Sequence, residues 1–235
     1  MVKPYNKKLE ISYCIGVYPT LELLYHHPEK VTRVLISGKG NKNIGVSIIK
    51  SICLKNGIKT EIADGTIAKI TGSENCYSIG IFNKYESLIQ NGNHLVLVNP
   101  SDMGNLGTII RTALAYDVNN LAIIRPGADI FDPKVIRASM GAVFSIKFQY
   151  FDSFKEYNNN FRNNLYVYMT NGQSVLNKLS FEQPFSMIFG NEGAGLGTEY
   201  LSIGTSVIIP HTKNVDSLNL SVAVGIALYA YKTQS

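Results

Sequence analysis

The run His94-Leu95-Val96-Leu97-Val98, followed by Asn99-Pro100-Ser101-Asp102-Met103-Gly104-Asn105-Leu106-Gly107-Thr108-Ile109-Ile110-Arg111-Thr112-Ala113, decides the fold. Leu95 to Val98 is an unbroken apolar stretch of strand length, the kind that parallel sheets bury on both faces. Pro100 and the glycines at 104 and 107 read as a loop. Ile109, Ile110, Ala113 and Leu114 then recur at helical spacing, with Thr108 and Arg111 on another face. Strand, loop and helix in this order are half of a β-α-β unit. Further strand candidates lie at residues 121–124, 165–169, 185–189 and 206–209. The connections between them are long enough for parallel crossovers, so a mostly parallel sheet in an α/β fold is expected. The Asn-rich stretch 157–164 reads as a solvated connection.

Upstream, residues 18–27, 33–37, 45–55, 59–62, 66–70 and 76–82 form another α/β series of helical and β-rich runs. The turn signal Asn91-Gly92-Asn93 closes it. The expected division is a first domain at 1–84, a linker at 85–93 and a second domain at 94–235.

Composition narrows the class. The 235 residues allow one large domain or two small ones, and 45% hydrophobic against 17% charged residues excludes a disordered chain. A net charge of +5 permits a polyanionic partner. Cys14, Cys53 and Cys76 are odd in number and lack C-x-x-C spacing, so neither a disulfide framework nor a zinc site is expected. Residues 1–10 are polar and lysine-rich, unlike a secretory leader. The longest apolar stretch, residues 218–231, is short of the roughly 20 residues a bilayer core needs. A cytoplasmic protein without a membrane partner is expected.

Two more motifs carry chemistry. Phe189-Gly190-Asn191-Glu192-Gly193-Ala194-Gly195-Leu196-Gly197 follows an apolar run, and its glycines allow close backbone approach to a ligand. It does not match G-x-G-x-x-G, and a tight turn is the plainer reading. Glu192, its one ionisable group, can orient a neighbouring segment or cap the loop. Ile208-Ile209-Pro210-His211 and Val215-Asp216-Ser217-Leu218-Asn219-Leu220-Ser221 make the third motif, in which Ser217 or Asn219 can cap a last helix. That helix is apolar on nearly every face, which predicts cover by a second subunit and hence a homodimer. His211 has no partner at metal-ligand spacing and reads as structural or solvent-facing. A helix start beside an exposed Arg111 suits a phosphate.

Together, N-x-G-x-x-x-R, G-N-E-G-x-G and I-P-x(6)-S-L-N-x-S resemble the three signature motifs of the SpoU/TrmH family of RNA ribose 2′-O-methyltransferases, within the SPOUT superfamily. The run Lys134-Val135-Ile136-Arg137-Ala138-Ser139-Met140-Gly141-Ala142 is shared too. The resemblance implies a parallel α/β domain with a C-terminal trefoil knot, an obligate dimer, and S-adenosyl-L-methionine as methyl donor. It implies cofactor contacts from Gly190, Ile209 and Leu218, supported by Asn191, Pro210, Ser217 and Asn219. Asn105, Arg111, Glu192, Ser217 and Asn219 fall on catalytic and RNA-positioning positions. A guanidinium with a pKa above about 12 hardly gives up its proton, so Arg111 is read as positioning phosphate rather than as a base. No metal is expected, since the motifs hold no clustered ligands.

Residues 1–84 resemble more weakly the small, ribosomal-protein-like RNA-binding domain that many such enzymes carry in front. The departure is at residues 73–80. Basic residues Lys7, Lys8, Lys30, Arg33, Lys39 and Lys42 can meet phosphate, and Tyr18 and Tyr25 can stack bases or simply pack. Gly38–Lys42 reads as a flexible basic loop, the best candidate for an RNA contact. The target is expected to be ribosomal RNA, with transfer RNA as the alternative. A catalytically silent RNA-binding dimer also fits, whereas a nucleotide-cofactor oxidoreductase lacks the acidic residue about 20 positions after its glycines.

Overall fold

A computed structural model describes residues 4–72 and 75–234. Met1 to Lys3 of the lysine-rich start, and Ser73 and Glu74 of the departing stretch, lie outside the described residues. The chain forms two compact units, residues 1–85 with 129–145, and residues 86–128 with 146–235.

In the first unit the chain runs β1 (Ile11–Ile15), α1 (Val17–His26), β2 (Val31–Ile36), α2 (Ile44–Lys55), β3 (Lys59–Ile62), α3 (Asp64–Thr71) and β4 (Ser78–Asn83). The strands form one sheet in the order β1-β4-β2-β3, parallel only between β2 and β3. Alternation along β2 splits the core. Val34 and Ile36 join Leu24, Val46, Ile49 and Cys53 on the α1/α2 face, while Leu35 joins Tyr13, Ile67, Ile79 and Ile81 on the other. Residues 66–70, read as β-rich, belong to α3: Ile67 alone is buried, and Gly72 at φ 63 ends the helix.

The basic segment Gly38–Lys42, read as a loop, is a short 3-10 turn. The Asp64 carboxylate accepts from the Ser37 hydroxyl at 2.5 Å and from the Gly38 N–H, and Gly40 is buried against Tyr77.

The second unit contains β5 (His94–Val98), α4 (Met103–Ala115) and β6 (Asn120–Ile124). The chain then leaves for the first unit, where α5 (Pro133–Ala138) packs on β1. It returns as β7 (Lys147–Phe151), α6 (Phe154–Asn160), β8 (Asn164–Tyr168), β9 (Ser174–Val175), β10 (Phe185–Phe189), β11 (Thr205–Ile208) and α7 (Leu220–Thr233). The shared run 134–142 therefore packs with the first unit, although its sequence neighbours on both sides belong to the sheet of the second.

That sheet is seven-stranded and parallel, in the order β7-β6-β5-β10-β8-β11-β9. The central β5 and β10 are buried at every residue, which is why both read as unbroken apolar runs. The glycines of the first motif are not in a loop. The Asp102 carboxylate accepts from the Asn105 N–H at 2.7 Å and starts α4 at Met103, so Gly104 and Gly107 are helical. Such a cap is worth about 1 kcal/mol.

The Asn-rich stretch also differs from expectation. Ser153 caps α6, and Tyr157 is fully buried with its hydroxyl 2.7 Å from His94 Nδ1 and 2.5 Å from Ser186 Oγ. A buried anchor thus sits among residues whose composition reads as solvated.

Candidate functional site

All strands of the second unit are parallel, so the segments leaving β5, β10 and β11 emerge at one edge of the sheet, and these are the three motifs. The β5–β10 pair is the point where strand order reverses, since β6 and β7 extend one way and β8 and β11 the other. Open α/β sheets bind ligands beyond the carboxyl ends of their strands at such a point.

The first and second motifs are tied together by Glu192. Its carboxylate accepts from the Ser101 N–H at 3.1 Å, the Ser101 hydroxyl at 2.8 Å and the Asp102 N–H at 3.1 Å. Burial works to raise its pKa, but N–H groups of Glu192, Ser101 and Asp102 and the Ser101 hydroxyl outweigh it. The carboxyl is held below its usual range. Asn191 donates to the Asn99 carbonyl at 2.8 Å and accepts from the Gly193 and Ala194 N–H groups, which folds the second loop back on itself. A Cβ on Gly190 would stand 2.3 Å from the Gly195 carbonyl carbon, so the loop closes only over glycine.

The third motif joins the first. Asn219 caps α7, its Oδ1 accepting from the Ser221 N–H at 2.9 Å, and its Nδ2 donates to Asn105 Oδ1 at 3.1 Å. Between the second and third motifs lies a cavity of about 460 Å³, within the range of about 300–1,000 Å³ usual for small-ligand sites.

Gly190, Asn191, Glu192, Ile209, Ser217 and Leu218, all expected at the site, line this cavity. Asn105, Arg111, Pro210 and Asn219 do not. Asn105 and Asn219 form a hydrogen-bonded pair outside the lining, and Arg111 is exposed on α4. Sequence reasoning missed Ser101, whose only signal is its place directly before the capping Asp102. It also missed the wall formed after β8 by Met169, Thr170 and Asn171, and the contribution of His211, which lines the cavity with its Nδ1 2.8 Å from the Ile209 carbonyl. Tyr168 stacks on Phe189 with ring centroids 4.3 Å apart, and both line the cavity.

The cavity suits a ligand with one flat apolar part and polar ends. Ile209, Leu218, Leu196 and Ala223 offer apolar area, and the glycine loop offers main-chain groups. Among the described residues, no group of three or more His, Cys, Asp or Glu could hold a metal ion.

A parallel sheet whose second and third motif loops enclose a cavity, with the first motif hydrogen-bonded to both, matches a known family. The model of the SpoU rRNA Methylase family matches residues 92–229, and the chain belongs to that family. An uncharacterized tRNA/rRNA methyltransferase of Synechocystis is 35% identical over 144 residues, covering 60% of this chain and 53% of that protein. A 23S rRNA (adenosine(1067)-2′-O)-methyltransferase of Streptomyces laurentii is 29% identical over 192 residues, covering 75% of this chain and 70% of its own length. The chain thus spans about half of the first relative and more of the second. The solved AdoMet-bound rRNA methyltransferase of Sinorhizobium meliloti superposes with a TM-score of 0.80 at 26% identity, covering 94% of this chain and 86% of that one.

Proposed function

We propose that the protein methylates a ribose 2′-hydroxyl of RNA, with S-adenosyl-L-methionine as methyl donor and ribosomal RNA as target. The observation that carries this reading is the cavity between the second and third motifs, to both of which the first motif is tied by the Glu192–Ser101 and Asn219–Asn105 contacts. The AdoMet-bound Sinorhizobium structure supports the donor. The Streptomyces relative, whose match covers three quarters of the chain, supports ribosomal over transfer RNA.

When bound, S-adenosyl-L-methionine supplies a methyl group on a positively charged sulfur. Main-chain groups of Gly190, Ile209 and Leu218 hold the donor, with Asn191, Pro210 and Ser217 beside them. Transfer asks mainly for position, so the chain's work is to line up the acceptor and keep water out. Arg111, contributed by the opposite subunit, clamps a phosphate and stabilises the developing alkoxide, and the proton leaves to phosphate or water. Asn105, Glu192 and Asn219 hold the three segments in register. We place no metal in the reaction.

A homodimer belongs to this reading. Leu220, Val224, Ala227 and Leu228 of α7 are buried, whereas Val222, Ile226 and Tyr229 form an exposed apolar face on the same helix. Val222→Asp with Ile226→Asp is expected to give a monomer by light scattering. A trefoil knot is part of the proposal as well, supported by the insertion of β10 between β5 and β8, both earlier in the chain. No helix among the described residues is long and apolar enough to cross a membrane, and the three cysteines are free and buried. We place the protein in the reducing cytoplasm.

The test is transfer of labelled methyl groups to RNA from cells lacking the protein. Label in one ribosomal RNA nucleotide, stable to base hydrolysis at its 3′ side, is expected. Label confined to transfer RNA would overturn the target, and none in any RNA would overturn the activity.

A further inference from the structure

We propose that the outer surface of α1 and α2 is a platform for single-stranded RNA, on which bases stack against Tyr18 and Tyr25 while lysines of the α2 segment hold the phosphates. The proposal rests on the RNA reading above and adds which face of the first unit is used and what form of RNA it takes.

Charge is the first observation. The first unit holds 14 of the 22 Lys and Arg but only 8 of the 17 Asp and Glu, leaving the second with 8 against 9. The protein's net positive charge therefore resides in the first unit. Between Glu29 and Glu61 every charged residue is a Lys or Arg, with Lys39, Lys42, Lys50 and Lys55 exposed on α2 and the turn that leads into it. A one-signed stretch of this kind fits a polyanion and repels a basic surface such as its own copy.

The second observation is where large apolar side chains stay exposed. The helices lie in close contact, since Val17, Leu21 and Ile52 pack against their shared core and a Cβ on Gly45 would meet Val17 Cγ1 at 2.4 Å. On the outer surface Tyr18 and Tyr25 are 61% and 58% exposed on α1, and Ile44 and Ile48 are exposed one turn apart on α2. Exposed aromatic area on α1, whose one charged residue is Glu22, beside apolar area and lysines on α2 is the pairing that single-strand binders use. Seven residues of helix set the tyrosines about 10 Å apart along the axis. Bases within a strand of duplex step only about 3.4 Å, so two rings at this spacing suit bases splayed from a single strand.

The turn over Gly38–Lys42 fits the same use. Asp64 fixes it through Ser37 and Gly38, so its lysines leave from a preset backbone and less order is lost on binding.

Fluorescence anisotropy of the full chain with a labelled 12-nucleotide oligouridylate, and with an RNA duplex of equal length, tests the proposal. The single strand is expected to bind more tightly. Tyr18→Ala with Tyr25→Ala should weaken it about tenfold or more, and the corresponding Phe pair should restore it. Lys39→Gln with Lys42→Gln should make the salt dependence shallower. S-adenosyl-L-methionine affinity and the thermal midpoint should not move, as these side chains are exposed. Wild-type affinity in the Ala pair, tighter binding of duplex, or a change from dimer to monomer in that pair would each overturn the proposal, the last by showing that the face holds a second copy. Tyrosine-dependent RNA binding without methyl transfer would sink the methylation reading and leave this one standing.

Discussion

Asn219 Nδ2 donates to Asn105 Oδ1 at 3.1 Å, and through this one bond the last motif reaches the first across 114 positions of sequence. The other end of the Asn219 amide caps α7, so a single side chain sets both the start of the helix and its link to α4.

The two tasks separate by substitution. Asn219→Asp keeps an oxygen for the Ser221 N–H but has no donor for Asn105, and should keep stability while methyl transfer falls at least tenfold. Asn219→Ala should lose the cap as well, about 0.5–2 kcal/mol by urea denaturation.

Glu192 makes the first two motifs interdependent, with a sign that can be read against pH. Its native pKa is lowered, so its contribution is complete above the ordinary value of about 4.5 and is lost as pH falls through the native value. The gap in thermal midpoint between wild type and Glu192→Gln should be constant from pH 5 to 8 and shrink below pH 4.

Arg111 tests positioning against simple charge. Lysine keeps the charge but loses the two-pronged geometry. Arg111→Lys is expected to lower turnover with S-adenosyl-L-methionine affinity unchanged. Full turnover in that variant would refute the clamp.

His94 predicts acid sensitivity in a place remote from the motifs. It is fully buried, its Nε2 donates to the Gln90 carbonyl at 2.7 Å, and its Nδ1 accepts from Tyr157. Burial lowers its pKa below the usual 6.5, so the unfolded chain takes up a proton that the native one resists. Stability should therefore fall as pH drops below about 6.5, by up to about 1.4 kcal/mol per pH unit from this group. His94→Gln should flatten the dependence in urea midpoints between pH 7 and 5.

The motifs and the central strands were legible because their physics is local. Two-sided burial writes itself as an apolar run in β5 and β10, and close backbone approach as glycine around Gly190. What escaped notice depends on partners distant in sequence. Tyr157 looks solvated among asparagines, and the strands that bring His94, Phe151, Ile188 and Ser186 to it make it a buried anchor. β1 and β7 mix polar with apolar residues, so their pairing to β4 and β6 decides them. Ser101 became visible only when Glu192 arrived from 91 residues away.

The excursion of residues 129–145 carries α5 to β1 and back, so backbone crosses between the units three times. A gene cut after residue 85 would leave β1 without its covering helix, and one starting at 86 would carry that helix away from its seat. The halves are therefore not exchangeable cassettes. Grafting a new front end onto the second unit would require transplanting a discontinuous piece, with two splice points between β6 and β7 of the seven-stranded sheet.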